Sequence, residues 1–179
     1  MSLKRSLAVA GLVGVLGLGV APLHAERDGA YISGGVQYAY FTTKWGGNGN
    51  IGGIDIRGGY QQFFNKRKNL GARYYGNFSV SGGSGLSNIS YGVGADVLYD
   101  FYGTKKYVIG TYGGLMLLGS SWIFQRGSVS NFQLPLNVGI RANFLYHHGV
   151  ELGMLIPIVP AYNGFRRAVA IYANYVWRF

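Results

Sequence analysis

The sequence predicts an all-β protein, a transmembrane antiparallel up-and-down β-barrel of eight strands. Three observations carry this fold class. The chain ends in a two-residue rhythm, with Ile171, Ala173, Tyr175, Trp177 and Phe179 on one face of a last strand that stops on an aromatic residue. Its first residues have the pattern of an export signal. Between these ends, stretches rich in Gly, Tyr and Phe alternate apolar with polar side chains, as strands do when one face meets lipid and the other a lumen.

Lys4 and Arg5 precede an apolar run over 7–20, and Leu23, His24 and Ala25 stand just before Glu26. The run is shorter than the ~20 residues of a membrane-spanning helix and Pro22 interrupts its end, so residues 1–25 are expected to be a cleaved secretory signal. Removing 25 of the 179 residues leaves 154, enough for one domain over 26–179. Lys4 and Arg5 leave with the signal, so 14 of the 16 Lys and Arg remain against six acidic residues. Such a balance suits nucleic acid only when the cations line up, and here they fall between alternating segments, so no nucleic acid is expected. With no cysteine, the exported chain has no disulfide framework and must hold together by backbone pairing and packing.

Strands are expected at about 30–41, 51–61, 69–80, 88–101, 107–119, 131–144, 149–159 and 167–179, each near the length a tilted membrane strand requires. In the second, Ile54, Ile56 and Tyr60 alternate with Asp55, Arg57 and Gly59; in the fourth, Tyr91, Val93, Ala95, Val97, Tyr99 and Phe101 alternate with Gly92, Gly94, Asp96 and Asp100. The sixth sets Phe132, Leu134, Leu136, Val138, Ile140, Ala142 and Phe144 against Gln133, Asn137, Arg141 and Asn143. The seventh sets Val150, Leu152, Met154, Ile156 and Ile158 opposite Glu151, and only the fifth, around 108–118, is ambiguous. A soluble sandwich also alternates. The terminal Phe179, the export signal and the aromatic residues near strand ends favour the barrel, and with it the bacterial outer membrane.

With the apolar set on lipid, the lumen receives Asp55, Arg57, Arg73, Asp96, Asp100, Arg141, Glu151 and Arg178, four cations against four carboxylates. Counting from the turns puts Arg73 near Asp55 on one neighbouring strand and Asp96 on the other. Burying one of these charges alone costs on the order of several kcal/mol, so a paired network filling the lumen is expected. Eight strands enclose a space just wide enough for side chains. The competing expectation is a narrow polar conduit, because inward glycines such as Gly35, Gly59, Gly94 and Gly153 reduce the filling.

Enzyme, cofactor and metal sites find little support. Gly92-Val93-Gly94 matches part of a dinucleotide fingerprint, but no helix follows to receive a phosphate. His147 and His148 sit in a short link with one nearby carboxylate, Glu151, and no cysteine. Ser120 and Ser121 fall in an expected outer loop, at the opposite end from both histidines, beyond the reach a nucleophile and its base need. The outer loops do present aromatic and cationic side chains suited to contact: Lys44, Trp45, Trp122, Ile123, Arg126, Tyr162, Phe165, Arg166 and Arg167.

Several blocks resemble the Helicobacter outer-membrane protein family. They are Asp28-Gly29-Ala30-Tyr31-Ile32-Ser33, Gly71-Ala72-Arg73-Tyr74-Tyr75-Gly76, Tyr91-Gly92-Val93-Gly94-Ala95-Asp96, Gly119-Ser120-Ser121-Trp122, Leu134-Pro135-Leu136-Asn137-Val138-Gly139-Ile140-Arg141, His147-His148-Gly149-Val150-Glu151-Leu152-Gly153 and the ending Tyr172-Ala173-Asn174-Tyr175-Val176-Trp177-Arg178-Phe179. The resemblance implies an outer-membrane barrel from a family that includes adhesins and porins. Adhesins of that family carry a large extracellular domain near the amino-terminal side, whereas only 42–50 separates the first two expected strands, so no adhesin's binding residues carry over.

The expected protein is therefore a small monomeric barrel with a structural or surface-interaction role and a side-chain-filled lumen. A minor porin or an adhesin-like surface binder are the alternatives. Its expected partners are outer-membrane lipid and lipopolysaccharide, the barrel-assembly machinery through the C-terminal strand, and a host-surface ligand.

Overall fold

The computed structural model of the chain describes residues 28–43, 46–64, 68–83, 85–104, 106–124, 127–159 and 165–179. The expected export signal lies outside the described residues. Eight strands follow one another: β1 (Gly29–Thr43), β2 (Asn48–Phe63), β3 (Leu70–Gly83), β4 (Leu86–Gly103), β5 (Tyr107–Phe124), β6 (Gly127–Phe144), β7 (His148–Val159) and β8 (Phe165–Arg178). Each pairs antiparallel with its neighbour in sequence, and β1 pairs with β8, so the sheet is a closed barrel.

Closure follows from the last strand. Ile32 lies beside Trp177, Gly34 beside Tyr175 and Val36 beside Ala173, so residues of β8 that share the two-residue rhythm share the outer face of β1. Ile171, Tyr175, Trp177 and Phe179 are exposed, whereas Tyr172, Asn174, Val176 and Arg178 between them are buried. The same alternation runs round the wall. Val93, Val97, Ile140, Val150 and Leu152 are exposed on the outer face, and Asp96, Arg141 and Glu151 are buried on the inner one. An apolar exterior with buried charges inverts the arrangement of a water-soluble protein and suits a wall in lipid.

β5 resolves the ambiguous stretch. Val108, Tyr112, Met116, Leu118, Ser120 and Trp122 are buried inside, and Ile109, Leu115, Leu117 and Ile123 face out. Both of its faces carry large apolar residues, which is why composition alone did not separate them. The strand also runs further than expected, to Phe124, and β6 begins at Gly127. Ser120, Ser121, Trp122 and Ile123 are therefore strand residues rather than loop residues. Their ladder partners are Ser90, Ile89, Asn88 and Ser87 on β4, three of them polar neighbours that a turn-like Gly-Ser-Ser composition conceals.

Two prolines mark where the wall is irregular. Pro135 lies opposite Pro157, and the β6–β7 register shifts between Leu134 and Pro135. Neither proline has an N–H to donate, so a bulge is where a strand tolerates them. Beyond this point β7 is paired with β6 only as far as Val159, and its pairing with β8 ends at Leu155 and Ala170.

An outward position at mid-wall should report the lipid contact directly. Val93→Arg is expected to destabilise the barrel by ~2–4 kcal/mol in bilayer vesicles, the cost of a cation at the midplane. Reversible urea unfolding of wild type and variant measures it; an unchanged midpoint would mean that Val93 does not face hydrocarbon.

Candidate functional site

The interior holds the candidate site, because the inward parity of every strand delivers its polar side chains there. At the end of the barrel that carries both termini, Arg141 on β6 meets Asp100 on β4. Arg141 Nε and Nη2 donate to Asp100 Oδ1 at 3.0 and 2.8 Å, and Nη2 also donates to Oδ2 at 2.7 Å. The strand between them contributes Gly110, where a Cβ would stand 2.0 Å from Asp100 Oδ1, so the pair meets across a position that only glycine leaves open. Arg178 is buried at the same end, and its Nη2 donates to the His148 carbonyl at 3.1 Å.

The middle of the lumen is spanned by one continuous set of contacts. Arg57 Nε donates to Asp55 Oδ1 at 2.8 Å, and the amides of Asn77 and Asn174 donate to the same carboxylate at 2.6 and 2.7 Å. Arg57 Nη1 donates to the Tyr172 hydroxyl at 2.9 Å, and that hydroxyl donates to Asn137 Oδ1 at 2.7 Å. Asn137 Nδ2 lies 2.8 Å from the Tyr75 hydroxyl and 3.0 Å from Asp96 Oδ2. Arg73 completes the span, with Nε donating to Asp96 Oδ2 at 2.8 Å and Nη1 to Glu151 Oε1 at 2.5 Å.

Aromatic faces pack these cations. The Arg57 guanidinium lies 3.9 Å from the Tyr172 ring centroid and that of Arg73 lies 4.5 Å from Tyr112, distances at which the ring quadrupole attracts the charge. The rings fit because of inward glycine. A Cβ at Gly153 would stand 2.3 Å from the Tyr112 hydroxyl oxygen and 2.4 Å from Tyr172 Cζ.

The expected lumen residues thus form the pairs Arg57–Asp55, Arg73–Asp96, Arg73–Glu151 and Arg141–Asp100, and Arg178 is buried with them. One expected neighbour differs. The partner of Arg73 on β2 is Gln61, not Asp55, and its second carboxylate is Glu151 on β7. Side chains in so narrow a lumen reach strands that are not adjacent, which counting along neighbouring strands does not capture. Asn137 is expected on the inward face, though not as a member of the network, whereas Tyr75, Asn77, Tyr112, Tyr172 and Asn174 were missed. Parity with Arg73 and Arg178 places four of these five inward; Tyr112 lay in the ambiguous strand.

Two expected outer-loop contacts are corrected. Trp122 is fully buried inside β5 and packs on Phe41 with ring centroids 5.4 Å apart. Arg167 is buried inside β8, where Nη2 donates to Asn88 Oδ1 at 2.7 Å and Ser90 Oγ at 3.1 Å. β5 extends past its expected end and carries Trp122 into the wall, whereas Arg167 already begins the expected last strand and is turned inward by the register shift against Tyr40 and Phe41. Ile123 is exposed, on the outer face of β5. Phe165 and Arg166 belong to β8, whereas Lys44, Trp45, Arg126 and Tyr162 lie outside the described residues.

The histidines and serines occupy opposite ends. His147 Nδ1 contacts the Arg178 carbonyl oxygen at 2.8 Å, and His148 Nδ1 contacts the Tyr175 hydroxyl, with both imidazoles against Trp177. Ser120 Oγ accepts from Asn88 Nδ2 at 2.7 Å. Among the described residues, no three His, Cys, Asp or Glu side chains gather as metal ligands.

Removing the central cation should be costly. Arg73→Met leaves Asp96 and Glu151 buried against each other and is expected to destabilise the barrel by ~3–5 kcal/mol. Adding Glu151→Met should recover part of that loss, because the pair is then replaced rather than broken. Chemical unfolding of both variants in detergent micelles checks the sign of the coupling.

Comparison with known proteins is consistent with this architecture. The structure of Neisserial surface protein A is similar with a TM-score of 0.60 at 15% identity, covering 86% of this chain and 100% of that one. Ail, the attachment invasion locus protein of Yersinia pestis, is similar with a TM-score of 0.52 at 14% identity over the same shares. At such identities the likeness is one of fold. Among curated proteins, none matches the chain in sequence. The family model described as Helicobacter outer membrane protein matches residues 55–179. From β2 to its aromatic end, and in the wall that end closes, the chain belongs to the Helicobacter outer membrane protein family and is an eight-stranded barrel of the bacterial outer membrane.

Proposed function

We propose that this protein is a non-conducting outer-membrane barrel with a structural or surface-interaction role, and not an enzyme. The observation that carries the reading is the continuous span of buried contacts from Asp55 through Arg57, Tyr172, Asn137 and Asp96 to Arg73 and Glu151, which crosses the middle of the lumen. An ion moving along the axis would have to displace paired charges, at a cost of several kcal/mol for each partner left unpaired. Residues 1–25 act as the export signal, and the amino terminus of the mature chain, residues 26–179, starts on the periplasmic side. Both termini then face the periplasm and the opposite end faces the exterior. The chain acts as a monomer among lipid and lipopolysaccharide, and β8 with its terminal Phe179 is the segment offered to the barrel-assembly machinery.

Charge at the exterior end supports the surface-interaction part. The segments 36–54, 79–92, 115–136 and 154–172, which form that half of the wall and its links, hold Lys44, Arg126, Arg166 and Arg167 and no Asp or Glu. Such a cationic rim, with aromatic Trp45 and Tyr162 in the same segments of sequence, suits an anionic surface, whether lipopolysaccharide or a host glycan. One fold neighbour, Ail, has been solved with the heparin analogue sucrose octasulfate, a polyanion.

Two measurements test these roles. Refolded protein in planar bilayers is expected to give no discrete conductance steps; reproducible ohmic steps would replace this reading with that of a minor porin. Replacing Lys44, Arg126 and Arg166 together by Gln should weaken binding to lipopolysaccharide-containing vesicles at least fivefold in low salt, and equal binding would remove the rim from the interaction surface.

A further inference from the structure

Three buried arginines, Arg57, Arg73 and Arg141, each form a salt bridge with a carboxylate. Arg167 is just as buried, at 2% exposure, yet among the described residues no carboxylate pairs with it. The chain has six acidic residues, and the one outside the described residues is Glu26. Asp55 acts on Arg167 only through space and is already bonded by Arg57, Asn77 and Asn174.

What surrounds the guanidinium is neutral and polar. Its Nη2 reaches across the lumen to Asn88 Oδ1 and Ser90 Oγ on β4. Ser90 Oγ in turn donates to Asn88 Oδ1 at 2.9 Å and lies 3.3 Å from Ser120 Oγ, while Asn88 Nδ2 donates to Ser120 Oγ at 2.7 Å. Arg167 Nε is buried without a hydrogen-bond partner. A buried cation with a free donor and no carboxylate in contact, beside rotatable hydroxyls and an amide, is an incomplete anion site: the charge and donors are present and no negative group of the chain bonds to them.

We infer that Arg167, with Ser90, Ser120 and Asn88, forms an oxyanion-binding site at the exterior end of the lumen, taking one phosphate or sulfate group. Arg167 Nε supplies the charge-assisted hydrogen bond, and Ser90 and Ser120 turn their hydroxyl hydrogens toward the anion. The carboxylate-free exterior end favours entry of anions over cations. The site gives a ligand chemistry to the proposed surface-interaction role, on which it rests, and is independent of whether the lumen conducts.

The test is NMR of the mature chain refolded in non-ionic micelles with 15N-labelled arginine, following the Nε–Hε signals as sodium sulfate replaces sodium chloride at constant ionic strength. One signal, absent in Arg167→Gln, is expected to shift saturably. Ser120→Ala, which keeps the cation, should weaken the response at least threefold, and this variant carries the test if Arg167→Gln does not refold. Gln at Lys44, Arg126 and Arg166 should leave it within twofold, which separates the buried site from the rim. Inorganic phosphate should compete with sulfate. Displacement by phosphorylated lipopolysaccharide, but not by its dephosphorylated form, would assign the group to a membrane lipid; competition by inorganic phosphate alone would assign it to a soluble anion. A response that stays linear, or that survives unchanged in Ser120→Ala, would overturn the site and leave Arg167 as a cross-brace to β4. Neither result bears on conductance, which tests the closed lumen separately.

Discussion

Pairing of β1 with β8 is the constraint from which the rest of the structure follows. Hydrocarbon offers no hydrogen bonds, so a sheet within it must leave no edge, and eight strands closed on themselves pair each strand with a neighbour on both sides. Eight is also a small number. The enclosed space is narrow enough that a side chain from one wall touches the opposite one, as Arg73 on β3 does with Glu151 on β7 and Arg167 on β8 with Asn88 on β4. Charges placed inward by parity therefore have no independent solvation and must solve their electrostatics together. Gly110 and Gly153 belong to the same constraint, because a narrow lumen admits Arg141, Tyr112 and Tyr172 only where the facing backbone carries no Cβ.

Closure and facing were legible in the sequence because they depend on a local period. The rhythm of Ile171, Tyr175, Trp177 and Phe179 fixes which side of β8 meets lipid, and Asp55, Arg57, Asp96, Arg141 and Glu151 fall inward by the same rule. Partner choice was not legible. Asp96 lies directly opposite Arg73 in the ladder and could be counted to, whereas Glu151 joins Arg73 only after the sheet has curled round. The tyrosines escaped for a different reason. Aromatic residues at strand ends suggest the membrane interface, and Tyr75, Tyr112 and Tyr172 instead turn a ring inward against guanidinium, where their hydroxyls serve as hydrogen-bonding groups.

Trp122 and Arg167 show where local composition misleads. Gly119, Ser120 and Ser121 look like a turn, and Arg166 with Arg167 looks like a solvated loop end. In a barrel whose interior is polar, a Ser-rich or Arg-containing stretch continues a strand as well as an apolar one does. For Trp122 the proper criterion was parity: Ser120 and Trp122 continue the inward set of Met116 and Leu118, while Ile123 continues the outward one; Arg167 has the parity of the outward set and faces inward only because the β1–β8 register shifts between Tyr40 and Phe41. A loop that looks polar can thus be the end of a strand whose inner face looks onto polar neighbours.

The charges are not distributed evenly along the axis. The end with the termini has the bidentate pair Arg141 with Asp100, and Arg178 is buried there against the His148 carbonyl. The central span sets Arg57 and Arg73 against Asp55, Asp96 and Glu151, so carboxylates outnumber guanidinium groups there. Neutral donors make up the difference, since the amides of Asn77 and Asn174 hold Asp55 and that of Asn137 holds Asp96. Arginine keeps its proton throughout the physiological range, so the cationic side of this count is fixed. At the end away from the termini Arg167 is held by neutral groups, the Asn88 side-chain carbonyl and the Ser90 hydroxyl oxygen, and Asp55 of the central span acts on it through space. The carboxylate excess of the central span and the cation beyond it thus offset each other only across the lumen, and Arg167 keeps a buried donor with no bonded anion of its own.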